Sequence, residues 1–208
     1  MSRVSKKRTG MGKQTRSRLI DAARALLVEH DGEVVFAEVA ARAGVSAGAP
    51  YRHFASKANL VVAVVEEVFD ELEAAFYKPS FSEEGLSWWD QEQNRIDRLV
   101  DLFCDVPIVS VVMRDIAGNA EVVQARVHRI DKQTRGAAKN IARGRESGVI
   151  PAHIDPLRSA ALVIGGIYHL LATVAATSDE FERSTVKADI KRFVARVLDI
   201  DIKETSNG

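Results

Sequence analysis

The sequence predicts an all-α fold in two parts, a small N-terminal domain and a larger C-terminal helical domain. Apolar residues recur every three or four positions through most of the 208-residue chain, which is the period of a helix with one buried face. Glycine, serine, aspartate and proline bound these segments as they bound helices elsewhere. The chain contains no convincing strand alternation, no internal repeat and no low-complexity tract.

The first helix follows a basic arm. Residues 1–12 are polar and lack periodicity, and we expect them to be disordered. From Lys13 the pattern becomes helical and continues to about position 30, where Gly32 supplies a C-terminal glycine. The face predicted to be buried carries Leu19, Ile20, Ala23, Leu26 and Leu27.

Two short helices come next and complete a domain that we place at 13–58. The second helix is predicted at 36–43 and ends at Gly44. Ser46 is a favoured N-cap residue, so the third helix is predicted to run from there through position 53. A glycine in a tight turn between two short helices is the pattern of a helix-turn-helix.

The remaining helices form the predicted second domain, 59–208. Ser56 caps a fourth helix, whose apolar residues from Leu60 to Phe76 repeat every four positions. A loop follows at about 80–87, and Pro107 breaks the chain. Asp155 and Pro156 together are a strong helix start. The four later helices are predicted at 88–104, 119–146, 156–177 and 181–198.

Composition is that of an ordinary globular protein, with 46% hydrophobic residues. Cys104 is the single cysteine, so no disulfide forms within one chain, which fits a reducing cytoplasm. The most apolar stretch, 160–176, is interrupted by Gly165, Gly166 and several polar residues. We therefore expect no membrane association, no export and a cytoplasmic location.

Charge is distributed unevenly although the formal net charge is zero. Residues 1–60 hold eleven Lys and Arg against five Asp and Glu, a net charge of +6, and the rest of the chain carries −6. A basic head on an acidic body indicates that the head meets a polyanion. The alternative is a solubilising tail.

A longer motif identifies the N-terminal domain more specifically. Residues 15–60 read TRSRLIDAARALLVEHDGEVVFAEVAARAGVSAGAPYRHFASKANL, and this segment resembles the DNA-binding domain of the tetracycline-repressor (TetR) family. The matching features are Ile20-Asp21-Ala22-Ala23, Val39-Ala40, Ala43-Gly44-Val45-Ser46, Tyr51-Arg52-His53-Phe54 and Ser56-Lys57 before Leu60. The resemblance implies a transcriptional regulator with a double-stranded DNA operator as its partner.

The resemblance also assigns contacts to DNA. It makes Tyr51, His53 and Lys57 phosphate contacts, which position a protein on DNA without reading sequence. Arg52 is our candidate for a guanine contact, with a further phosphate contact as the alternative. The full predicted set is Arg16, Ser46, Ala47, Gly48, Ala49, Tyr51, Arg52, His53 and Lys57, in which the two alanines are placed to touch thymine methyl groups.

Each of these residues also has a purely structural interpretation. Tyr51 can be a half-buried aromatic residue, His53 a surface histidine and Lys57 a solvated charge. Their joint occurrence in one motif favours the DNA interpretation.

Two positions depart from the family pattern. Val35 and Phe36 stand where the second helix usually has a threonine cap, so this helix should lack a side-chain cap. Pro50 lies in the recognition helix, cannot donate a backbone hydrogen bond to Ser46 and disfavours helical geometry at Ala49.

The resemblance places a dimer interface in the last two helices. Two glycines in mid-helix, Gly165 and Gly166, are costly unless helices cross closely there. An ordinary core within one chain is the alternative. The predicted homodimer interface consists of Leu162, Gly165, Gly166, Ile167, Leu171, Val174, Ile190, Phe193 and Val197.

An effector pocket is expected among the middle helices, with a small, fairly apolar molecule as the ligand. The candidate lining residues are Phe76, Trp89, Phe103, Cys104, Met113, Tyr168 and His169, although aromatic residues at helical spacing are more often core. The family's common mode is repression released by the ligand, through a shift between two states of the dimer.

Two other functional classes compete with this interpretation. The sequence has no nucleophile elbow, phosphate-binding loop or zinc motif, and its five histidines are scattered, so we expect no enzyme activity, no cofactor and no metal site. A nonspecific architectural DNA-binding protein would fit the sparse recognition helix, but it would not explain the long apolar C-terminal part.

Overall fold

The computed structural model describes residues 3–77, 85–113, 119–177 and 182–201, and within these ranges all regular structure is helical. The all-α prediction is therefore confirmed. In chain order the helices are α1 (Arg3–Glu29), α2 (Phe36–Ala43), α3 (Ala49–His53), α4 (Lys57–Tyr77), α5 (Trp88–Asp105), α6 (Pro107–Met113), α7 (Ala120–Glu146), α8 (Pro156–Thr177) and α9 (Arg183–Val197).

The chain divides into two compact units, each built from two stretches. The first unit comprises Met1–Phe69 and Pro107–Val127, and the second comprises Asp70–Val106 and His128–Gly208. By contrast, the predicted second domain is one continuous stretch from position 59. In the structure α6 instead returns to the first unit, where it packs against α1.

The core of the first unit contains the helix face predicted for α1. Leu19, Ile20, Ala23 and Leu27 are completely buried. The first unit also buries α6, which the sequence analysis missed. Pro107 was interpreted as a break, but proline is also favoured at the first position of a helix, and that is its place here. The rest of α6 is too uniformly apolar to show a helical period.

The predicted disordered arm is wrong for the backbone of residues 3–12, which form the first turns of α1. Arginine, lysine, methionine and glutamine are good helix formers. Once the buried half of α1 is fixed, extending the helix toward its N-terminus needs no new nucleus.

Several helix ends follow the predicted caps. Ser56 Oγ accepts from the Asn59 N–H at 3.1 Å, and Asp155 Oδ1 accepts from the Arg158 N–H at 2.8 Å. Val35 precedes α2 in an extended conformation and gives it no side-chain cap, as predicted. The predicted start of the last helix at 181 lies outside the described residues, and α9 begins at Arg183.

In the second unit, α9 lies along α5 through ion pairs on one face of each helix. Lys191 pairs with Asp97 at 2.8 Å, Lys187 with Asp101 at 2.7 Å and Arg183 with Asp105 at 2.5 Å. Successive partners are four residues apart on both helices, so the pairs form a regular ladder. This ladder fixes the register of α9 against α5.

A buried polar cluster joins α5 to α7. Glu92 Oε2 accepts from Arg95 Nη1 at 2.5 Å and from the Asn140 side-chain amide at 2.8 Å. The Trp88 indole N–H donates to the Asn140 carbonyl oxygen at 3.0 Å. Burial raises the pKa of the Glu92 carboxyl above its ordinary value, and the two donors oppose that rise.

Candidate functional site

The turn between α2 and α3 depends on Gly44. Its φ of 62° and ψ of 43° lie in the left-handed region, and its N–H closes α2 by bonding to the Ala41 carbonyl oxygen at 3.1 Å. A Cβ atom at Gly44 would lie 2.9 Å from Arg18 Nη2, which donates to the Gly44 carbonyl oxygen. Arg18 was not predicted as part of the site, because the two residues in this contact are 26 positions apart in the sequence.

The third helix starts later than predicted. Ser46 does not cap it: α3 begins at Ala49, and the residue before it, Gly48, makes no side-chain cap. Because Pro50 has no N–H to donate, the Ser46 carbonyl oxygen instead accepts from the Ala49 N–H at 2.8 Å, in a turn. The Ser46 hydroxyl accepts from Arg52 Nη2 at 3.2 Å.

The exposed side of α3 carries the two largest predicted contact residues. Tyr51 is 70% exposed, and its ring meets the Phe36 ring edge to face with centroids 4.9 Å apart. Arg52 is also exposed and is held by Ser46. Phe36, the first residue of α2, thus positions Tyr51.

The other predicted contact residues lie on both sides of this helix. Ala47 and Gly48 are exposed in the preceding turn, and His53 is half-buried at the end of α3. Lys57 is exposed at the first residue of α4, where free backbone N–H groups and a positive helix end favour an anion. Arg16 is exposed on α1, and its guanidinium lies 5.2 Å from the centre of the Phe54 ring.

Ala49 does not belong to this surface. Its side chain is only 2% exposed and, together with Pro50, faces the core of the first unit. The late start of α3 turns position 49 inward, so the predicted contact between Ala49 and a thymine methyl group is wrong.

A small, partly open cavity lies in the second unit, between α4, α5, α7 and α8. Four apolar side chains and two polar ones line it: Leu72, Phe76, Leu99, Ile164, Gln133 and Tyr168. The Tyr168 hydroxyl donates to Gln133 Oε1. The volume in which the centre of a water molecule can lie is about 10 Å³, which is about what a single water molecule needs.

Two of the seven predicted pocket residues, Phe76 and Tyr168, line this cavity. Phe103 is core, Met113 is buried in the first unit, and His169 is exposed. Trp89 and Cys104 are partly buried elsewhere on α5. Burial raises the pKa of the Cys104 thiol, which makes it a weak nucleophile. The sequence analysis missed Leu72, Leu99, Gln133 and Ile164, because helical periodicity does not distinguish a cavity wall from core.

The predicted dimer residues separate into two groups. Ile167, Leu171 and Ile190 are buried within the single chain and belong to its own core. Leu162 is 63% exposed, Gly165 is exposed, and Gly166, Phe193, Val174 and Val197 are exposed in part. A Cβ atom at Gly166 would lie 2.6 Å from Phe193 Cζ, so this glycine lets α8 and α9 approach within one chain.

The outer face of α8 is unusually apolar. By length and mean hydropathy, 1.5 over Pro156–Ala175, α8 is long and apolar enough to cross a membrane, which the sequence analysis had discounted. Only 33% of the tested window is buried, so much of its apolar surface faces outward.

Comparison with known proteins gives one match to a family. Residues 19–64 match the model for bacterial regulatory proteins of the tetR family, and no curated protein sequence matches the chain. Within the described residues, no cluster of three or more histidine, cysteine or acidic side chains is arranged to hold a metal ion.

Solved structures share the fold at low sequence identity. The fatty acid degradation regulator FadR of Bacillus halodurans has a TM-score of 0.72 and 12% identity, over 86% of this chain and 93% of that one. FadR of Bacillus subtilis in complex with stearoyl-CoA gives 0.69 and 16%, over 86% and 96%. A TetR-family transcriptional regulator of Agrobacterium tumefaciens gives 0.71 and 16%, over 90% and 99%.

Proposed function

We propose that this chain, which belongs to the tetR family of bacterial regulatory proteins, is a transcriptional repressor. It binds a palindromic operator as a homodimer and is released by a small, fairly apolar effector. The observation that carries the proposal is the exposed face of α3 behind the Gly44 turn. Tyr51 and Arg52 project from that face, and Lys57 begins the next helix beside it.

The contacts to DNA divide into two kinds. Tyr51, His53 and Lys57 bind phosphate groups and set the position of α3 in the major groove. Arg52 contacts a guanine, and Gly48 allows the backbone to approach the bases closely. Since few long side chains project from α3, side-chain readout is limited to about one base pair in each half-site.

The homodimer uses the outer face of α8 together with part of α9. Leu162 and Phe193 supply exposed apolar surface, and Gly165 allows a close crossing between two copies of α8. Exposed apolar surface of this kind marks an interaction site in a protein of the cytoplasm. In the dimer, two recognition helices about 34–36 Å apart meet successive major grooves.

The effector acts by preferring one of two dimer states. A ligand in the cavity of the second unit that favours the state with misplaced recognition helices lowers operator affinity by its differential affinity. FadR of Bacillus subtilis, which shares the fold, was solved in complex with stearoyl-CoA, and this supports a ligand-responsive regulator. The protein resides in the cytoplasm, on the nucleoid when bound to DNA.

Fluorescence anisotropy on DNA from upstream of the protein's own gene tests this function. A scrambled fragment of equal length serves as the control, and both are titrated at two salt concentrations. We expect tighter binding to the genuine fragment at both salts. Equal binding with a steep salt dependence would indicate an architectural protein, and absence of binding at low salt would refute the proposal.

A further inference from the structure

The cavity in the second unit contains one polar pair in an otherwise apolar wall. The Gln133 side chain is buried, and its amide oxygen accepts the Tyr168 hydroxyl hydrogen. Leu72, Phe76, Leu99 and Ile164 complete the wall. Two apolar side chains of similar shape would fill this place without desolvating polar groups, so the pair adds chemistry that packing alone does not require.

The cavity must widen before it can admit an organic molecule. Its space of about 10 Å³ suits a single water molecule. Tyr168 is half-buried and therefore stands at the boundary of the cavity, whereas Gln133 lies inside. Movement of the Tyr168 ring would enlarge the cavity and at the same time separate the Tyr168–Gln133 pair.

The chemistry of the pair selects the group that can replace it. A group that only accepts, such as an ether or an ester, would take the Tyr168 hydrogen and leave the Gln133 oxygen without it. A hydroxyl group accepts from Tyr168 and donates to Gln133, so both bonds are kept. Sites that hydrogen-bond a hydroxyl group discriminate against analogues that lack it.

Charge excludes a second class of ligand. None of the six lining residues is charged, and a carboxylate in such a wall would lose its hydration without a compensating cation. Arg129, a buried cation one turn away on α7, is already paired through Nη2 with Asp70 at 2.5 Å and Glu73 at 3.4 Å.

We propose that the effector is an uncharged, mainly apolar molecule with a hydroxyl group that inserts between Tyr168 and Gln133. This inference rests on the proposed function, because it names the ligand class of the regulator's cavity. Tyr168 and Gln133 are its specificity-determining residues, and the four apolar residues hold its body.

Calorimetric titration of the full-length protein with three matched probes tests the proposal. The probes are 4-propylphenol, its methyl ether 4-propylanisole, and the 4-propylbenzoate anion. We expect the phenol to bind about tenfold more tightly than the ether, which is the value of one good neutral hydrogen bond. The benzoate should bind most weakly.

Variants test whether the preference for phenol over ether depends on the Tyr168–Gln133 pair. Gln133→Leu should remove the difference between phenol and ether, because it removes the acceptor that only the phenol can use. Tyr168→Phe should weaken the binding of both probes but keep the difference, and the double variant should fold well because both polar groups are gone together. Gln124→Leu, at an exposed glutamine on the same helix, should leave the preference unchanged.

The proposal is overturned if no probe binds, if the ether or the benzoate binds as tightly as the phenol, or if the preference for phenol over ether survives in Gln133→Leu. The anisotropy measurement separates this failure from failure of the proposed function. A protein that binds its operator selectively but does not bind the phenol refutes the ligand class alone. A protein that does not distinguish its operator from the scrambled fragment refutes the proposed regulatory function.

Discussion

At the scale of single residues, the proposed base contact of Arg52 depends on its neighbour Ser46. Arg52 Nη2 donates a hydrogen bond to Ser46 Oγ at 3.2 Å, and this bond restrains the long, exposed Arg52 side chain. A restrained guanidinium loses less side-chain entropy when it binds a base edge than a freely moving one does.

We predict that Arg52→Ala removes about 1–3 kcal/mol of discrimination at one base pair in each half-site. Ser46→Ala should cause part of the same loss, and Ser46→Thr should preserve discrimination because it keeps the hydroxyl. Lys57→Ala is the matched control, since loss of a phosphate contact weakens binding to all operators alike. Binding of Arg52→Ala to a panel of operator variants decides the matter: uniform weakening would make Arg52 another phosphate contact.

Gly166 is a second position at which adding a single carbon atom would change the packing. A Cβ atom there would overlap the Phe193 ring, so Gly166→Ala should lower the free energy of unfolding by about 1–3 kcal/mol. Gly12 lies in α1 with nothing near its Cβ position, and Gly12→Ala should raise that free energy by about 0.5–1 kcal/mol. Urea unfolding compares the free energies of unfolding of the two variants. If these are equal, the Phe193 ring moves away and makes room for the new Cβ atom.

At the scale of the helix, α2 lacks an N-cap although the backbone is ready for one. Val35 has φ −124° and ψ 130°, which suits an N-cap residue, and its side chain is 54% exposed. Glu38 stands three residues later, the position of the acidic partner in a capping box.

We therefore predict that Val35→Ser stabilises the protein by about 0.5–1 kcal/mol, because its hydroxyl satisfies a free N–H of the first turn. Val35→Ala is the control, since it removes the same valine without adding an acceptor. Thermal unfolding of both variants provides the measurement. An equal melting temperature for the two would show that serine does not cap α2.

Helix boundaries were predictable where the signal is local, and less so where it depends on packing. The bounds of α2 and the caps at Ser56 and Asp155 follow from residues within one turn. The late start of α3 follows from Pro50, which was recognised as unfavourable but not as a reason to move the boundary. The helix α6 stayed hidden, since five of its seven residues are buried and no polar face marks its period.

For the whole molecule, the DNA-binding surface depends on a local sequence signal, whereas the cavity depends on packing between helices. The surface residues lie within about 40 positions of one another, and a local motif brings them together. The cavity joins Leu72, Leu99, Gln133 and Tyr168 from four helices, and no local pattern records that they meet. Sequence also could not separate the exposed Leu162 from the buried Ile167 on α8, because both are apolar and neighbouring helices determine which is covered.

At the scale of the whole molecule, the proposed homodimer depends on the exposed face of α8. We predict that Leu162→Glu halves the mass measured by sedimentation and lowers operator affinity, because a monomer engages one half-site. Because Leu162 is 63% exposed, this substitution should leave the fold intact. Val127→Glu, at a 60% exposed valine on α7, should leave the mass unchanged. A Leu162→Glu protein that stays dimeric would place the interface elsewhere.

Pro50 has a consequence in the entropy of DNA binding. A helix of five residues would not persist by itself in water, and ordering it on contact with DNA would cost about 1–2 kcal/mol for each residue. Here the fixed φ of Pro50, the contact of Phe36 with Tyr51 and the Ser46 hydrogen bond order α3 beforehand. The entropy cost of ordering α3 is therefore met when the protein folds and not when it binds DNA.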